Sequence, residues 1–371
     1  MDFDFSSEQE QLRDAVNKWV EKAYTFERRT SIVREGGFST EVYQELSDLG
    51  LAGLYIASEH GGMDMGPVEG MVTMEELGRG LVMEPLVHTW IASALLQLFA
   101  TPALQKDWLP RMATGEALVV LAHQERASRY QWQVCQAQAI QTGQEWSVTG
   151  HKSVVPAGDK AQAFLVPAMH QQQMALFCVS ANAKGLQCRA YLAQDGSRMA
   201  EVEFKNASAS LITTDGATAL SLAVDMGIAS MCAQAIGAME KTLALTVEYM
   251  NTRKQFGVAI ASFQALRHRV ADMKMQLELG RSMSYYATLK LQVPEIERRR
   301  AMARAKYQLC QSMRYVGQQA VQLHGGIGVT DEYMVSHYFK ALTQMEMMWG
   351  DGLYQLGQVS DAMQDTAGVF A

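Results

Sequence analysis

Apolar residues recur at helical spacing through the first third of the chain. Between residues 12 and 23 they fall on one face of a helix, and the pair Ser7 and Glu10 has the spacing of a capping box that opens it. Gly50 is a typical end for the next helix, and Pro67 suits the first turn of the one after. The later helices of this region are predicted after Ser39 and Thr40, from Pro67, and at residues 90–99 and 105–112.

The pattern changes after residue 115. Short runs rich in β-branched and other apolar residues replace the helical spacing, and glycines such as Gly143, Gly158 and Gly185 separate them. Several short strands between turn residues predict a small barrel or sandwich. The predicted strands are residues 118–122, 137–140, 146–150, 163–166, 174–179 and 200–204.

Helical spacing returns after residue 212 in three long stripes. The stripes are Met231, Ala235, Met239, Leu243 and Val247; Phe263, Leu266, Val270, Met273 and Leu277; and Met302, Ala305, Leu309, Val316, Ala320 and Leu323. Long amphipathic helices of this kind predict a four-helix bundle. The predicted fold class is therefore α+β and multi-domain. It has an N-terminal helical domain (1–115), a middle β-barrel-like domain (116–212) and a C-terminal four-helix bundle (213–371).

Composition narrows the possible classes of protein. The 371 residues suit two or three domains, and a net charge of −7 argues against a nucleic-acid partner. The five cysteines are scattered without metal-ligand spacing, which predicts no metal site and reduced thiols in a cytoplasmic compartment. The first ten residues are acidic and polar, unlike a signal peptide. No uninterrupted apolar run reaches about 18 residues, so no membrane span is expected.

Two glycine-containing motifs at the ends of predicted helices carry the candidate chemistry. Residues 253–257 read RKQFG, where Arg253 follows one helix and Gly257 turns the chain toward the next. An arginine at such a junction is able to pair bidentately with a diphosphate. Residues 322–328 read QLHGGIG, and the glycine pair lets an extended ligand approach the backbone closely. A glycine loop after a helix also serves as a plain C-cap, so neither motif is decisive alone.

In this order, with helices between them, the two motifs resemble the RxxFG and QxxGGxG motifs of the acyl-CoA dehydrogenase family, which bind FAD. The stretches EHGG, EELGR and QKDWLPRMATGE resemble its N-terminal domain, so the likeness covers the whole chain. The resemblance implies oxidation of an acyl-CoA thioester to its trans-2-enoyl form by a carboxylate base, a polarised thioester carbonyl and FAD. The FAD-binding residues that it implies are Arg253, Gln255, Phe256, Phe263, Gln264, Gln322, Gly325, Gly326 and Asp351.

Other residues occupy the positions that carry the catalytic base in the family. The most frequent base is the glutamate of a Glu-Gly-Thr triplet, and that triplet falls on Trp349, Gly350 and Asp351. Asp351 is thus either a displaced base or a group that caps the following helix or hydrogen-bonds to the flavin. The alternative base position is Gly227, and it is followed by Ile228 where a supporting arginine is frequent.

The rest of the substrate and flavin-ring side also departs from the family pattern. Asp225 stands where the family has an aspartate that contacts the CoA arm, and a role as base or as helix cap is the alternative. The flavin-lining TEPxAGSD stretch of the family aligns with residues 124–131, and its Trp-x-Thr pair aligns with Val154 and Pro156. The resemblance therefore implies an altered isoalloxazine half of the site beside a complete adenosine and diphosphate half.

This asymmetry resembles the small subunit of pimeloyl-CoA-type and steroid side-chain heteromeric acyl-CoA dehydrogenases, as do the stretches SRYQ, RKQFG and VGQQAVQLHGGIGVTDEYMVSHYFK. It implies an acyl-CoA substrate, a larger homologous subunit that carries the base in a heterotetramer, and electron-transferring flavoprotein as acceptor. The chain would then contribute the adenosine and diphosphate half of an FAD site. A self-sufficient dehydrogenase with Asp351 as base and a non-catalytic FAD-binding scaffold remain the alternatives.

Overall fold

The computed structural model describes residues 5–366, which form two compact units. The helical unit combines the described residues of Met1–Arg29, Pro67–Val82 and Ile228–Ala371, and the mixed unit combines Thr30–Gly66 and Met83–Gly227. Along the chain the elements follow the predicted order of helices, strands and helices. The domain boundaries after residues 115 and 212 stay predictions, and the outermost residues of the first and last predicted domains lie outside the described part.

Six helices precede the sheet. They are α1 (Ser7–Ala23), α2 (Phe26–Arg34), α3 (Thr40–Asp48), α4 (Pro67–Gly80), α5 (Leu86–Phe99) and α6 (Pro102–Ala113). The capping box of α1 lies one residue earlier than the sequence pattern suggested. The Ser6 hydroxyl accepts from the Gln9 backbone N–H at 3.2 Å, and the Gln9 carboxamide oxygen accepts from the Ser6 N–H at 2.9 Å. A glutamine thus takes the place that Glu10 was expected to fill, because Glu and Gln serve this role equally.

Five strands of the mixed unit close into a barrel. The strands are β1 (Val119–Leu121), β2 (Gln138–Thr142), β3 (Glu145–Pro156), β4 (Ala163–His170), β5 (Gln173–Ser180), β6 (Leu186–Leu192) and β7 (Arg198–Thr213). Pairing runs from β4 through β2, β3, β7 and β5 and returns to β4, while β1 joins β4 and β6 joins β7 as edges. The predicted barrel-like β domain is therefore present. Strand β6 is an addition that the sequence pattern did not predict.

The C-terminal elements begin with a long helix and a small hairpin. They are α7 (Gly216–Thr252), β8 (Lys254–Gln255), β9 (Val258–Ala259), α8 (Gln264–Leu289), α9 (Glu295–His324), α10 (Met334–Met347) and α11 (Gly352–Thr366). Helix α9 packs against α8, α10 and α11, so its buried stripe forms the centre of the helical unit. Among the described residues, α7 alone is long and apolar enough to cross a membrane. In the window that meets this criterion 83% of residues are buried inside the protein, as in a core helix.

Helices α4 and α7 approach each other backbone to backbone. A Cβ atom at Gly78 would lie 2.1 Å from the Gln234 carbonyl oxygen, and one at Gly237 would lie 1.7 Å from the Glu75 carbonyl oxygen. Real Cβ atoms do not come this close to backbone, so glycine is required on both sides of the crossing. The crossing fixes α4 on the bundle although the two helices are far apart in sequence.

The first half of α8 is more exposed than its apolar stripe predicts. Phe263 is 38% exposed, Leu266 and Val270 are half-buried, and the first fully buried side chain is Met273. The helix begins at Gln264, after a single 3-10 turn at Ile260–Ser262. The stripe therefore joins the buried interior of the described helices only from Met273 onward.

Candidate functional site

Aromatic rings join the ends of α7 and α9. The Tyr249 ring stacks on the His324 ring with centroids 4.4 Å apart, and the Tyr333 ring lies 5.2 Å from His324. The His324 Nδ1 is 2.8 Å from the Ala320 carbonyl oxygen, which requires Nδ1 to carry the proton. Burial lowers the pKa of His324, so the ring stays neutral. This stack fixes where Arg253 and the glycine loop begin, since each follows one of the joined helix ends.

The hairpin after α7 presents the RKQFG motif to solvent. Its two-residue turn has φ of 53° at Phe256 and 81° at Gly257, as a type I′ hairpin turn requires. The Ile260 N–H donates to the Arg253 carbonyl at 2.9 Å and closes the hairpin base. Phe256 is 91% exposed and touches only the edge of Phe263, with ring centroids 6.1 Å apart. The left-handed backbone at a bulky residue is strained, and nothing in the described chain covers its ring.

The glycine loop after α9 contains glycines that are required for different reasons. Gly325 has φ of 64°, which favours glycine, whereas Gly328 is buried and its Cβ would lie 2.9 Å from the Val321 carbonyl oxygen. Gly326 has neither reason, because a Cβ there would meet no described atom within 4 Å. The open space above Gly325 and Gly326 fits a ligand or a second chain that comes close to the backbone.

The predicted FAD clamp is exposed as a group. The exposed members are Arg253, Gln255, Phe256, Phe263, Gln264, Gln322, Gly325 and Gly326. They supply a guanidinium, three carboxamides and loop backbone around one end of the bundle, which is the donor set that a diphosphate and an adenosine need. The residues present therefore fit the adenosine and diphosphate half of FAD, and their role as its binding site remains a proposal.

The turn between α10 and α11 holds Asp351 as a helix cap. Trp349 has φ of 58° and Gly350 has φ of 99°, so the chain reverses through two left-handed residues. The Asp351 carboxylate oxygen Oδ1 then accepts from the Tyr354 N–H at 2.8 Å. This bond satisfies a free amide in the first turn of α11, as aspartate does at an N-cap. The half-buried carboxylate thus has a structural duty whether or not it also takes a proton.

A buried lysine fixes the helix end that precedes this turn. The Lys306 ammonium is fully buried and donates to the carbonyls of Met345 at 2.6 Å and Glu346 at 3.0 Å. A cation suits the free carbonyls at a helix C-terminus. One turn further along α9 the Cys310 thiol is buried, which raises its pKa, and two turns along Arg314 forms an ion pair with Glu346. None of these anchors was evident from the sequence pattern.

The comparisons with known proteins agree with this geometry. Family models match at both ends of the chain: "Acyl-CoA dehydrogenase, N-terminal domain" at residues 6–116 and "Acyl-CoA dehydrogenase, C-terminal domain" at residues 214–364. Acyl-CoA dehydrogenase IpdE2 of Mycolicibacterium smegmatis is 30% identical over 90% of this chain and 92% of its own length. The chain belongs to the acyl-CoA dehydrogenase family. Its members are oxidoreductases, and the predicted acyl-CoA dehydrogenase fold is confirmed.

Two further acyl-CoA dehydrogenase relatives align along nearly the full length. Acyl-CoA dehydrogenase FadE27 of Mycobacterium tuberculosis is 26% identical, with 99% of this chain and all of that protein covered. A chain in the crystal structure of the ChsE4-ChsE5 complex from the same organism superposes with a TM-score of 0.89. It is 27% identical, and each chain is covered completely.

The alternative base position of the family, Gly227, lies in a buried part of α7. Asp225 and Ile228 are almost fully buried within α7, with exposures of 0% and 1%, and Gly227 between them has no side chain. The contact between Asp225 and the CoA arm stays a prediction. In this chain the Asp225 carboxylate is buried away from solvent. No group of three His, Cys, Asp or Glu side chains in the described residues has the arrangement of a metal site.

A buried ion pair holds the strand end where the family's flavin-lining stretch aligns. The Lys152 ammonium is fully buried and lies 2.6 Å from the Glu125 carboxylate, which also accepts from the N–H groups of Gln136 and Ala137 at 2.7 and 3.1 Å. Burial alone would raise the pKa of Glu125, but Lys152 and the two N–H groups outweigh it and lower that pKa. Glu125 therefore points inward and anchors the segment from Arg126 to Cys135. The sequence pattern missed this pair.

Charged groups occupy the barrel face at the aligned Trp-x-Thr positions. The Glu201 carboxylate is 9% exposed, accepts from the Ser153 hydroxyl at 3.1 Å, and lies 3.2 Å from His151 Nε2 and 3.5 Å from the Arg126 guanidinium. Next to Ser153, Val154 has φ of 54° and is 41% exposed. An ionic cluster beside a small aliphatic side chain is a poor surface on which to stack a neutral aromatic ring. These residues do not fit the isoalloxazine half of FAD.

Proposed function

We propose that this chain is a subunit of an FAD-dependent acyl-CoA dehydrogenase that oxidises an acyl-CoA thioester between its α and β carbons. Its contribution is the adenosine and diphosphate half of an FAD site, and a larger homologous subunit completes that site in a heteromer. The observation that carries the proposal is the open backbone at Gly326, which nothing in the chain itself requires to be glycine. When bound, FAD supplies the acceptor for the two electrons of the oxidation.

The predicted FAD clamp supports this role because its hydrogen-bond donors are exposed. Arg253 presents its guanidinium at the strained hairpin, where a diphosphate would receive two parallel charge-assisted hydrogen bonds. Gln322 stands one helical turn before the glycine loop, so its carboxamide is placed to bond the same group. The exposed Phe256 and Phe263 rings would lose contact with water when a second subunit covers this end.

The substrate side supports the need for a partner. Trp349 has no group that takes a proton at neutral pH, and the Asp351 carboxylate already accepts from the Tyr354 N–H. A general base must reach the proton that it removes and have a pKa suited to the task. We therefore assign the base to the partner subunit, and electron-transferring flavoprotein to the acceptor role. The homologous ChsE4-ChsE5 structure is that of a two-protein complex, and relatives of this kind suggest fatty-acid or steroid acyl groups as substrates.

One observation favours a second candidate, a self-sufficient dehydrogenase in which Asp351 is the base. Its carboxylate is half-exposed and only one of its oxygens has a hydrogen bond from the backbone, so the other oxygen is available. A non-catalytic scaffold that binds FAD without turnover is the third candidate. The three differ in which preparation is active and in how many flavins it holds.

The test compares steady-state acyl-CoA oxidation by the lone chain, by the complex with a larger paralogue, and by the complex carrying Asp351→Asn. Asparagine keeps the cap, because its side-chain oxygen also accepts from the Tyr354 N–H, so the variant removes only the ionisable group. We expect activity in the complex alone, fewer flavins than subunits, and most of the rate retained by Asp351→Asn. Turnover by the lone chain that Asp351→Asn abolishes would establish the second candidate, and an inactive complex with bound FAD would establish the third.

The flavin clamp is tested separately through flavin content. Arg253→Ala should lower the FAD affinity of the complex by about 30-fold or more, since removing one partner of a buried charge pair typically costs about 2–5 kcal/mol. Arg111→Ala is the matched control, because that arginine forms an exposed ion pair with Glu116 on the mixed unit. Gly326→Val should lower FAD affinity without changing the melting temperature of the lone chain, as no described atom meets its Cβ. Normal flavin content in both clamp variants would remove the basis of the assignment.

A further inference from the structure

A cavity of about 400 Å³ opens in the helical unit. Its walls come from the end of α1, the first turn of α2, the end of α4, the middle of α7 and the start of α10. Small-molecule sites in proteins occupy roughly 300–1,000 Å³, so the cavity is large enough for a ligand of several heavy atoms. None of its lining residues belongs to the clamp or to the turn at Trp349, and the proposed function gives it no task.

The floor of the cavity is apolar and aromatic. Tyr24 and Tyr338 are 3% and 0% exposed, and Val20 and Leu81 beside them are 7% and 4% exposed. The Tyr338 hydroxyl donates to the Arg79 carbonyl, so that ring is held in place at the cavity floor. Phe26 and Met334 also line the cavity and are half-buried, so part of their apolar surface is accessible to a ligand.

Three cations line the cavity, and Lys241 differs from the two arginines in its lack of a described partner. Within the part of the chain that the structure describes, the Lys241 ammonium has no hydrogen-bond or ion-pair partner. The other wall cations are engaged: Arg79 forms ion pairs with Glu76 and Glu240, and Arg29 donates to the Leu81 carbonyl at 3.2 Å. Lys241 is half-buried as a residue, and an ammonium without a partner beside apolar side chains is able to bind an oxyanion through a charge-assisted hydrogen bond.

Two carboxylates at the rim do not cancel this attraction. Glu21 is exposed and therefore screened by water and salt. Glu27 is also exposed. Its carboxylate accepts hydrogen bonds from its own backbone N–H and from Thr25 at the start of α2, and these bonds lower its pKa. Besides these two exposed carboxylates, the charged side chains that line the cavity are the cations Arg29, Arg79 and Lys241.

We propose that this cavity binds a small organic oxyanion, a carboxylate or a phosphate monoester, whose charged end pairs with Lys241 and whose apolar part rests on Phe26 and Met334. The site does not depend on FAD or on the partner subunit. A ligand there would tie α1 and α2 to α7 and α10, and would stabilise the helical unit in proportion to its occupancy.

The experiment is calorimetric titration of the full chain with benzoate, phenyl phosphate and inorganic phosphate at low ionic strength. We expect one-site saturable binding of benzoate or phenyl phosphate, with inorganic phosphate at least about tenfold weaker because it lacks the apolar part. Lys241→Met should weaken the tighter probe by about tenfold or more, Lys241→Arg should retain it, and Lys274→Met should not change it. Lys274 is the control because it is an exposed lysine on α8 that pairs with Glu278.

Each outcome decides the proposal. Preference for benzoate identifies a carboxylate ligand, and preference for phenyl phosphate identifies a phosphate monoester. Equal affinity of the wild type and Lys241→Met overturns the proposal, and so does the absence of saturable binding by all three probes. Circular dichroism spectra of the wild type and both variants guard against a folding defect, because a misfolded Lys241→Met chain would differ from the other two. Retained binding by Lys241→Arg then shows that the charge at this position, and not the fold, accounts for the loss in Lys241→Met.

Discussion

Glu75 is a buried carboxylate whose protonation should control the stability of the helical unit. It is 2% exposed, and its Oε1 atom has no hydrogen-bond partner. Arg13 on α1 and Arg281 on α8 lie 3.5 and 3.6 Å from its other oxygen, Oε2. Glu76 on α4, Glu240 on α7 and the Tyr285 hydroxyl on α8 complete the set of ionisable groups that face it. Burial raises the pKa of Glu75 from 4.5 to about 7, because the two arginines only partly offset the loss of water.

The sign of the pH dependence follows from that direction. The folded chain keeps the Glu75 proton up to about pH 7, whereas the unfolded chain releases it near pH 4.5. The contribution of Glu75 to stability is therefore fully present below pH 4.5, and it is lost as pH rises through 7. At about 1.4 kcal/mol for each pKa unit, the loss is about 3 kcal/mol. Replacement by glutamine mimics the protonated form, so Glu75→Gln should be about 3 kcal/mol more stable than wild type at pH 8 and nearly equal to it at pH 5.

Urea unfolding followed by tryptophan fluorescence between pH 5 and 8.5, at one protein concentration, measures this difference. The control is Glu278→Gln, because a hydrogen bond from Lys274 lowers the pKa of Glu278, and its stabilising effect is present at neutral pH and lost as pH falls. The control should gain no stability at pH 8. If Glu75→Gln is less stable than wild type at pH 8, the ion pairs with Arg13 and Arg281 outweigh burial and the argument is wrong.

Three further predictions rest on single contacts. Gly237→Ala should lower the free energy of unfolding by about 3 kcal/mol in urea titrations, since its Cβ overlaps the Glu75 carbonyl oxygen, and an unchanged midpoint would contradict the close helix crossing. Lys152→Met should lower the free energy of unfolding by about 3–5 kcal/mol in the same titrations, because it leaves the Glu125 carboxylate buried without its cation. A decrease below about 1 kcal/mol would count against a buried pair. Asp351→Ala should lower stability by about 1 kcal/mol through loss of the α11 cap, while Asp351→Asn should lower it by much less, and equal losses would argue against capping.

Local signals in the sequence located most of the secondary structure. Ser39 caps α3 as predicted, with its hydroxyl accepting from the Val42 N–H at 3.2 Å, and Gly50 ends that segment with φ of 82°. The pattern of buried residues along α9, from Met302 to Leu323, also matches the predicted stripe. These features depend on neighbours within one or two helical turns, so the residue types alone are sufficient to predict them.

Two elements were missed because their residues are not apolar enough to show a period. Helix α2 reads FERRTSIVR, and four of its nine residues are charged. Strand β6 reads LQCRAYL, and most of its side chains are exposed or half-exposed although the strand pairs with β7 along its length. In both cases the tertiary neighbours define the element, and a pattern search within the segment has little signal.

Contacts between residues far apart in sequence could not be predicted from the sequence pattern either. Glu75 and Arg281 are separated by most of the chain, and so are Arg79 and Tyr338, yet each pair meets in the helical unit. Acidic residues are rarely buried, so a glutamate within a helix gives no indication by its residue type that it lies inside. The backbone contact of α4 with α7 at Gly237 and the packing of α1 and α8 against α4 bury Glu75, and the order of residues within α4 does not indicate these neighbours.

The exposed clamp and the exposed half of α8 are best understood as one surface. Phe256 holds a left-handed backbone at the expense of roughly 1–3 kcal/mol, and its ring is 91% exposed, so within this chain the hairpin has strain without compensation. The backbone at Gly326 is likewise open, since no described atom would lie within 4 Å of a Cβ there, and Phe263 is 38% exposed. Such features are retained when a second molecule supplies the missing contacts. Because FAD and a partner subunit would both cover this end, loss of flavin on changing Arg253 should be accompanied by weaker assembly. A variant that loses flavin while the complex stays fully assembled would separate the two and limit Arg253 to the cofactor.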